Sequence, residues 1–123
     1  MRVELTKTFR FESAHRLPMV PEGHKCRRLH GHSFRCDVTV RGEVDERAGW
    51  LVDFGDIKAA ARPVFDRLDH NYLNEIEGLE NPTAEILCRW IWDRLAPHIP
   101  LLFAVTVRET CSTACTYHGP DAG

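Results

Sequence analysis

The chain has no excess of charge of either sign, no long apolar run and no internal repeat, and each absence narrows what it can be. Lys+Arg 16 stand against Asp+Glu 18, a formal net charge of −2. There is no basic surplus to release counterions from a nucleic-acid backbone and no polybasic tail to hold an anionic lipid surface, so neither partner is expected. No apolar stretch approaches the roughly 20 residues that cross a bilayer. The opening Met1-Arg2-Val3-Glu4-Leu5-Thr6-Lys7 alternates polar and apolar residues and lacks the apolar centre of a secretory leader. A soluble, cytoplasmic protein is expected. No Gly/Ser linker divides the 123 residues, so residues 1–123 are read as a single domain. A chain this short buries only about two thirds of its unfolded surface. An active site is therefore expected on the surface or between copies.

A disulfide framework is also missing, since five Cys is an odd number and the compartment expected is reducing. What the chain does have is seven His beside those five Cys. Metal binding or thiol chemistry is the first possibility to weigh.

Hydrophobic periodicity places the elements. From Val3 to Ser13 the odd positions read Val3, Leu5, Lys7, Phe9, Phe11 and Ser13, and the even positions Glu4, Thr6, Thr8, Arg10 and Glu12. Period two with one apolar face is a half-buried strand. A second strand runs from about Leu29 to Glu43, with His30, His32, Phe34, Cys36, Val38 and Val40 on one face. Ile57, Ala60, Ala61, Val64, Phe65 and Leu68 then fall at helical spacing, with Asp53 or Asp56 as N-cap and Pro63 inside the pattern. Asn81-Pro82 reads as the start of a second helix, Asn capping and Pro in the first turn. Its stripe is Ala84, Leu87, Cys88, Ile91 and Leu95. Phe103–Arg108 and about Cys115–His118 complete two more strands. The order ββααββ predicts an α+β fold: a four-stranded antiparallel sheet with two helices on one face. Uncovered sheet edges argue for an oligomer.

His30 and His32 project from the same face of one strand, and His15 continues the apolar face of the other. If the two strands pair, three neutral imidazoles meet at one end of the sheet. That is the ligand set of a catalytic zinc site with an open position. A lone buried His is more often a hydrogen-bonded core residue, but three aligned ones are not explained that way. Cys26, four residues before His30 and flanked by Lys25, Arg27 and Arg28, is either a fourth ligand or a nearby base or nucleophile. Spacing does not separate these roles. Cys36 and Cys88 sit on apolar stripes as core residues, and Cys111 and Cys115 fall in and beside a turn. Asp69-His70 pairs a carboxylate with an imidazole, as a proton shuttle or simply a helix terminus. Glu109 has the parity of Phe103, Val105 and Val107, so it closes a buried face and needs donors that Arg108, on the other face, does not supply.

These residues stand in motifs that span nearly the whole chain. They are Phe11-Glu12-Ser13-Ala14-His15-Arg16-Leu17, Cys26-x3-His30-Gly31-His32, Val52-Asp53-Phe54, Leu68-Asp69-His70-x2-Leu73-Asn74, Glu80-Asn81-Pro82-Thr83-x-Glu85 and Glu109-Thr110. The ordered set resembles the 6-pyruvoyl-tetrahydropterin synthase superfamily. The short Cys26-to-His30 spacing is similar to its bacterial branch, which makes 6-carboxy-tetrahydropterin in queuosine biosynthesis. The resemblance implies a tunnelling fold (T-fold) in which three chains close a barrel and two trimers stack as a hexamer, with active sites at the contacts. It implies zinc on His15, His30 and His32, Glu109 receiving the pterin ring, Cys26 as general base, and Asp69 with His70 as a second proton-transfer pair from a neighbouring subunit. The implied substrate is 7,8-dihydroneopterin triphosphate, with Arg16, Lys25, Arg27 and Arg28 as candidate triphosphate contacts. Two alternatives stand: the pyruvoyl product without carbon–carbon cleavage, and a non-catalytic zinc-stabilised module.

Overall fold

A computed structural model describes residues 1–120. Strands β1 (Arg2–His15) and β2 (His30–Glu43) pair antiparallel along their whole length, from Arg2↔Glu43 to His15↔His30. Strands β4 (Leu102–Arg108) and β5 (Cys115–Tyr117) extend the sheet antiparallel beyond β2. The four expected strands are therefore present in the expected sense. A fifth was not expected: Asn71–Tyr72, here β3, pairs parallel with Ser13 and Ala14 at the outer edge of β1. Two residues are too few to show any period, so this segment reads as loop in the sequence. The sheet order is β3-β1-β2-β4-β5.

Helix α1 spans Phe54–Leu68 and α2 spans Ala84–Leu95. Asp53, rather than Asp56, caps α1, its carboxylate accepting from Gly55 N at 2.8 Å. Pro63 stays within α1, where it forfeits one backbone bond without ending the helix. The start of α2 differs from the reading of Asn81-Pro82. Thr83 is the N-cap, its Oγ1 accepting from Ile86 N at 3.1 Å. Asn81 and Pro82 lie before the cap, and Pro82 has another use described below.

One core holds the layers together. Phe11 on β1, Phe34, Cys36, Val38 and Val40 on β2, and Val105 and Val107 on β4 share a face. That face packs on Ile57, Ala61, Phe65 and Leu68 of α1 and on Leu87, Cys88, Ile91 and Leu95 of α2. Phe11 stacks on Phe34 at 4.9 Å, and Phe9 on Phe65 at 4.6 Å. Cys36 and Cys88 are buried as expected. Burial pushes the thiol of Cys36 well up and, with Cys115 beside it, that of Cys88 to about 12. Neither offers a thiolate near neutrality. The other face of the sheet carries the even residues of β1 and the odd ones of β2, and is polar.

Candidate metal centre and its surroundings

The aligned hairpin decides the first geometry. Cross-strand pairs Ser13↔His32 and His15↔His30 put three imidazoles at the last two rungs of the β1–β2 ladder. Each ring offers one nitrogen within 4.8 Å of the other two. Ring centroids lie 4.6, 4.8 and 5.1 Å apart with steep interplanar angles, so the rings meet edge-on around a point instead of stacking. Gly31, between two of them, places no side chain over the site.

The hydrogen bonds fix which nitrogens are free. His15 Nδ1 lies 3.0 Å from the Pro82 carbonyl, and His30 Nδ1 2.7 Å from the Arg28 carbonyl. A carbonyl only accepts, so each Nδ1 carries the proton and each Nε2 keeps its lone pair. His15 is fully buried and its Nε2 has no hydrogen-bond partner among the described residues. An orphaned acceptor of that kind is costly unless something binds it. Burial holds the His15 imidazole down at about 4, with His30 and His32 adding to the effect and the Pro82 bond opposing it. Burial, and then His30, lowers His32 as well. Imidazoles aimed at a common point, with carbonyls behind two of them, fit a divalent metal. Cys26 Sγ is not part of the cluster among the described residues. Three nitrogen ligands leave a position open.

Cys26 sits in the single helical turn Lys25–Arg27 that leads into β2. Its backbone is fixed on both sides: its carbonyl accepts from Leu17 N at 2.8 Å, and its N–H donates to His24 Nδ1 at 3.0 Å. Arg27 is exposed but tied back to its own loop, its Nη1 donating to the carbonyls of Pro18 and Val20 at 3.2 and 3.0 Å. It staples the loop that carries Cys26.

Asp69 and His70 form the expected pair, with His70 Nδ1 3.0 Å from Asp69 Oδ2. Asp69 is the C-cap residue of α1, and its Oδ1 also accepts from Glu12 N at 2.9 Å. The Glu12 N–H first, and His70 second, hold the Asp69 carboxyl below its ordinary value. His70 N donates to Glu12 O at 2.6 Å, and the residue adopts φ 56, the left-handed region, alone among the non-glycine residues described. Both backbone groups of Glu12 thus hold the pair, and the short β3 follows directly from it. Nothing in the sequence marks Glu12 for that role, because the contact is made by its main chain. His70 and His32 line one open groove of about 570 Å³, together with Glu12, Gly31, Ser33 and Tyr72.

Glu109 lies beyond the end of β4 with Oε2 4.0 Å from His32 Nε2. Burial raises its carboxyl above the ordinary value, His30 partly offsets this, and Glu85 adds to it. With Glu85, Val107, Thr113 and Cys115 it lines a pocket of about 290 Å³. Arg108 is paired elsewhere, with Asp37 at 3.3 Å. Glu109 therefore faces an opening beside the imidazoles and pairs with no Lys or Arg among the described residues.

Comparison with known proteins bears on the same residues. A "6-carboxy-5,6,7,8-tetrahydropterin synthase" of Synechocystis sp. is 46% identical over 120 residues, covering 93% of this chain and 92% of that one. A protein of the same description from Bacillus subtilis is 30% identical over 132 residues, covering 98% and 88%. The solved 6-pyruvoyl tetrahydropterin synthase of Caenorhabditis elegans superposes with a TM-score of 0.89 at 27% identity, covering 98% of this chain and 97% of that one. Residues 4–120 match the family described as 6-pyruvoyl tetrahydropterin synthase. With the imidazole cluster, the carboxylate beside it and the order of strands and helices all in agreement, the chain belongs to the 6-pyruvoyl tetrahydropterin synthase family.

Proposed function

We propose that this enzyme is a zinc-dependent carbon–carbon lyase acting in queuosine biosynthesis. It converts 7,8-dihydroneopterin triphosphate and one water to 6-carboxy-5,6,7,8-tetrahydropterin, acetaldehyde and triphosphate. The observation that carries this reading is the convergence of His15, His30 and His32 on an open point, with the Glu109 carboxylate 4.0 Å from the third ring. Its likeness to the Synechocystis and Bacillus synthases supports the carboxy product over the pyruvoyl one.

His15, His30 and His32 would hold the zinc through imidazole nitrogens, two of them oriented by the carbonyls of Pro82 and Arg28. When bound, zinc supplies Lewis acidity toward the side-chain oxygens of the substrate, acidifying the adjacent C–H and O–H groups. Glu109 accepts the paired N–H donors of the pterin ring and so sets the substrate's side chain over the imidazoles. Cys26 takes a proton from that side chain as general base. His70, its Nδ1–H held by Asp69, exchanges a second proton through Nε2.

Asp69 and His70 come to a given site from a neighbouring copy, in an assembly of two stacked trimers. The free outer edge of β1 supports assembly: β3 covers only Ser13 and Ala14, leaving residues 2–12 without a strand partner on that side.

The test is product identification with zinc-loaded protein and 7,8-dihydroneopterin triphosphate. Acetaldehyde and the 6-carboxy product are expected, whereas a 6-pyruvoyl product without acetaldehyde moves the protein to the other branch. Cys26→Ala is expected to retain zinc and fold while losing turnover by about 10²–10⁴-fold. Loss of zinc and unfolding in that variant would instead make Cys26 a structural ligand.

A further inference from the structure

Three of the cysteines meet where α2 crosses the far side of the sheet. Cys36, Val107 and Cys115 stand directly opposite one another across β2, β4 and β5, so both thiols share the face that packs on the helices. Cys88 comes down onto this row from α2. Its Sγ lies 3.2 Å from the Cys115 carbonyl and 3.6 Å from that of Val105, and its thiol is next to that of Cys115. One turn further along α2, Trp92 meets Tyr117 of β5 with ring centroids 5.7 Å apart. The helix and the strand are thus held in a fixed alignment beside the two thiols.

The three differ in what can reach them. Cys36 and Cys88 are buried, whereas Cys115 is half-buried and lines the pocket that holds Glu109. Cys36 is two strands away from Cys115, about 10 Å, too far for a disulfide, whose Cα atoms lie within roughly 7 Å. Cys111 is exposed in the turn before β5. Cys88 is therefore the partner that contact selects. The same pocket has Ala84 and Glu85 of α2 on one wall and Thr113 and Cys115 on the other. Cys88 follows Ala84 by one helical turn, so a bond from Cys88 to Cys115 would tie the two walls together.

We propose that Cys115, with Cys88 as resolving partner, is an oxidative modification site: a peroxide closes the pair as a disulfide and so disables the Glu109 pocket. The Cys115 sulfur gives two electrons to the peroxide O–O bond, yielding Cys115–S–OH and one water. The Cys88 sulfur then attacks the sulfenic sulfur; the S–S bond forms, the S–OH bond breaks, and hydroxide leaves with the Cys88 proton as a second water. Two thiols are oxidised and one peroxide is reduced. Proximity recommends Cys88 for the second step, since the attack is on a sulfur already beside it. The consequence for binding rests on the reading that this pocket takes the pterin ring. Closing the bond draws the Cys115 side chain out of the pocket wall and toward α2, beside the carboxylate that must meet paired N–H donors.

The test is treatment of metal-loaded protein with hydrogen peroxide, quenching with catalase, alkylation of the remaining thiols, and peptide mapping by mass spectrometry without reduction. A Cys88–Cys115 crosslink is expected, reversed by dithiothreitol, retained in Cys111→Ser and lost in Cys115→Ser. Binding is read with neopterin fluorescence in Cys26→Ala, so that oxidation of Cys26 plays no part. Peroxide is expected to weaken neopterin by about tenfold or more, and dithiothreitol to restore it. Cys26→Ala/Cys115→Ser should change by less than about twofold on the same treatment; its partly exposed substitution serves where Cys88→Ser, in the core, does not fold. A Cys111–Cys115 or Cys36–Cys88 crosslink, or sulfinic acid at Cys115 with Cys88 still open to alkylation after unfolding, overturns the pair. A Cys88–Cys115 crosslink with neopterin affinity unchanged overturns the effect on the pocket. A crosslink in a protein whose reduced form binds no neopterin supports the pair and counts against the pterin reading instead.

Discussion

At the scale of single residues, His15 combines full burial with a ring nitrogen that has no partner among the described residues. In the metal-free protein its imidazole is held near 4, against about 6.5 when exposed. Between those values the unfolded chain binds the proton that the folded chain refuses. Stability from this group is therefore fully present above about pH 6.5 and is lost as pH falls toward 4. Going from pH 7 to pH 5 should cost the metal-free protein about 2 kcal/mol, measured as urea unfolding at each pH. The same comparison on His15→Gln should lose most of that difference; an unchanged difference would mean that other groups carry it. His70 tests a different property. An L-residue at φ 56 is held at a cost of roughly 1 kcal/mol. His70→Gly should then keep or raise the Tm while turnover falls by about 10²–10⁴-fold. A clear loss of stability would show that the side chain holds the fold together.

At the scale of elements, the segment before α2 separates what could be read in the sequence from what could not. Asn-Pro ahead of an amphipathic stripe has the composition of a cap, and the helix does follow. The cap itself is Thr83, because Pro82 is drawn out of the helix to give its carbonyl to His15. Thr83→Ala should cost about 1 kcal/mol of stability, as loss of an N-cap does. It should also weaken metal binding, measured by competition with a chromophoric chelator, since the Pro82 carbonyl is one residue away. Asn81→Ala should show no capping loss. Equal effects of the two substitutions would reverse this assignment. The three clustered imidazoles were legible because strand parity is a local rule that needs only alternation. Glu12, Arg28 and Pro82 were not, because they act through backbone groups that every residue has. Arg10, Arg35 and Arg108 lie between these cases: parity puts them on the polar face, but only the register of the ladder sets Arg10 opposite Arg35 and Arg35 opposite Arg108.

At the scale of the whole molecule, the sheet has an open side. β1 is fourteen residues long, and β3 covers only two of its positions. A long edge of that kind pairs with something or invites aggregation. If copies of the chain cover it as two stacked trimers, sedimentation velocity should give about six times 14.1 kDa, independent of dilution through the micromolar range. A 14.1 kDa species that keeps full activity would overturn both the assembly and the sharing of Asp69 and His70 between copies.

The bond from His15 to the Pro82 carbonyl has a consequence for how the protein matures. It joins residues 67 apart in the chain. All three imidazoles lie in the first third of the chain, and the carbonyl that orients the first is made later. A hairpin without that carbonyl would leave the His15 ring free to turn, whereas the finished fold holds it. Any metal met before the second half of the chain has docked would therefore find an incompletely oriented set of imidazoles.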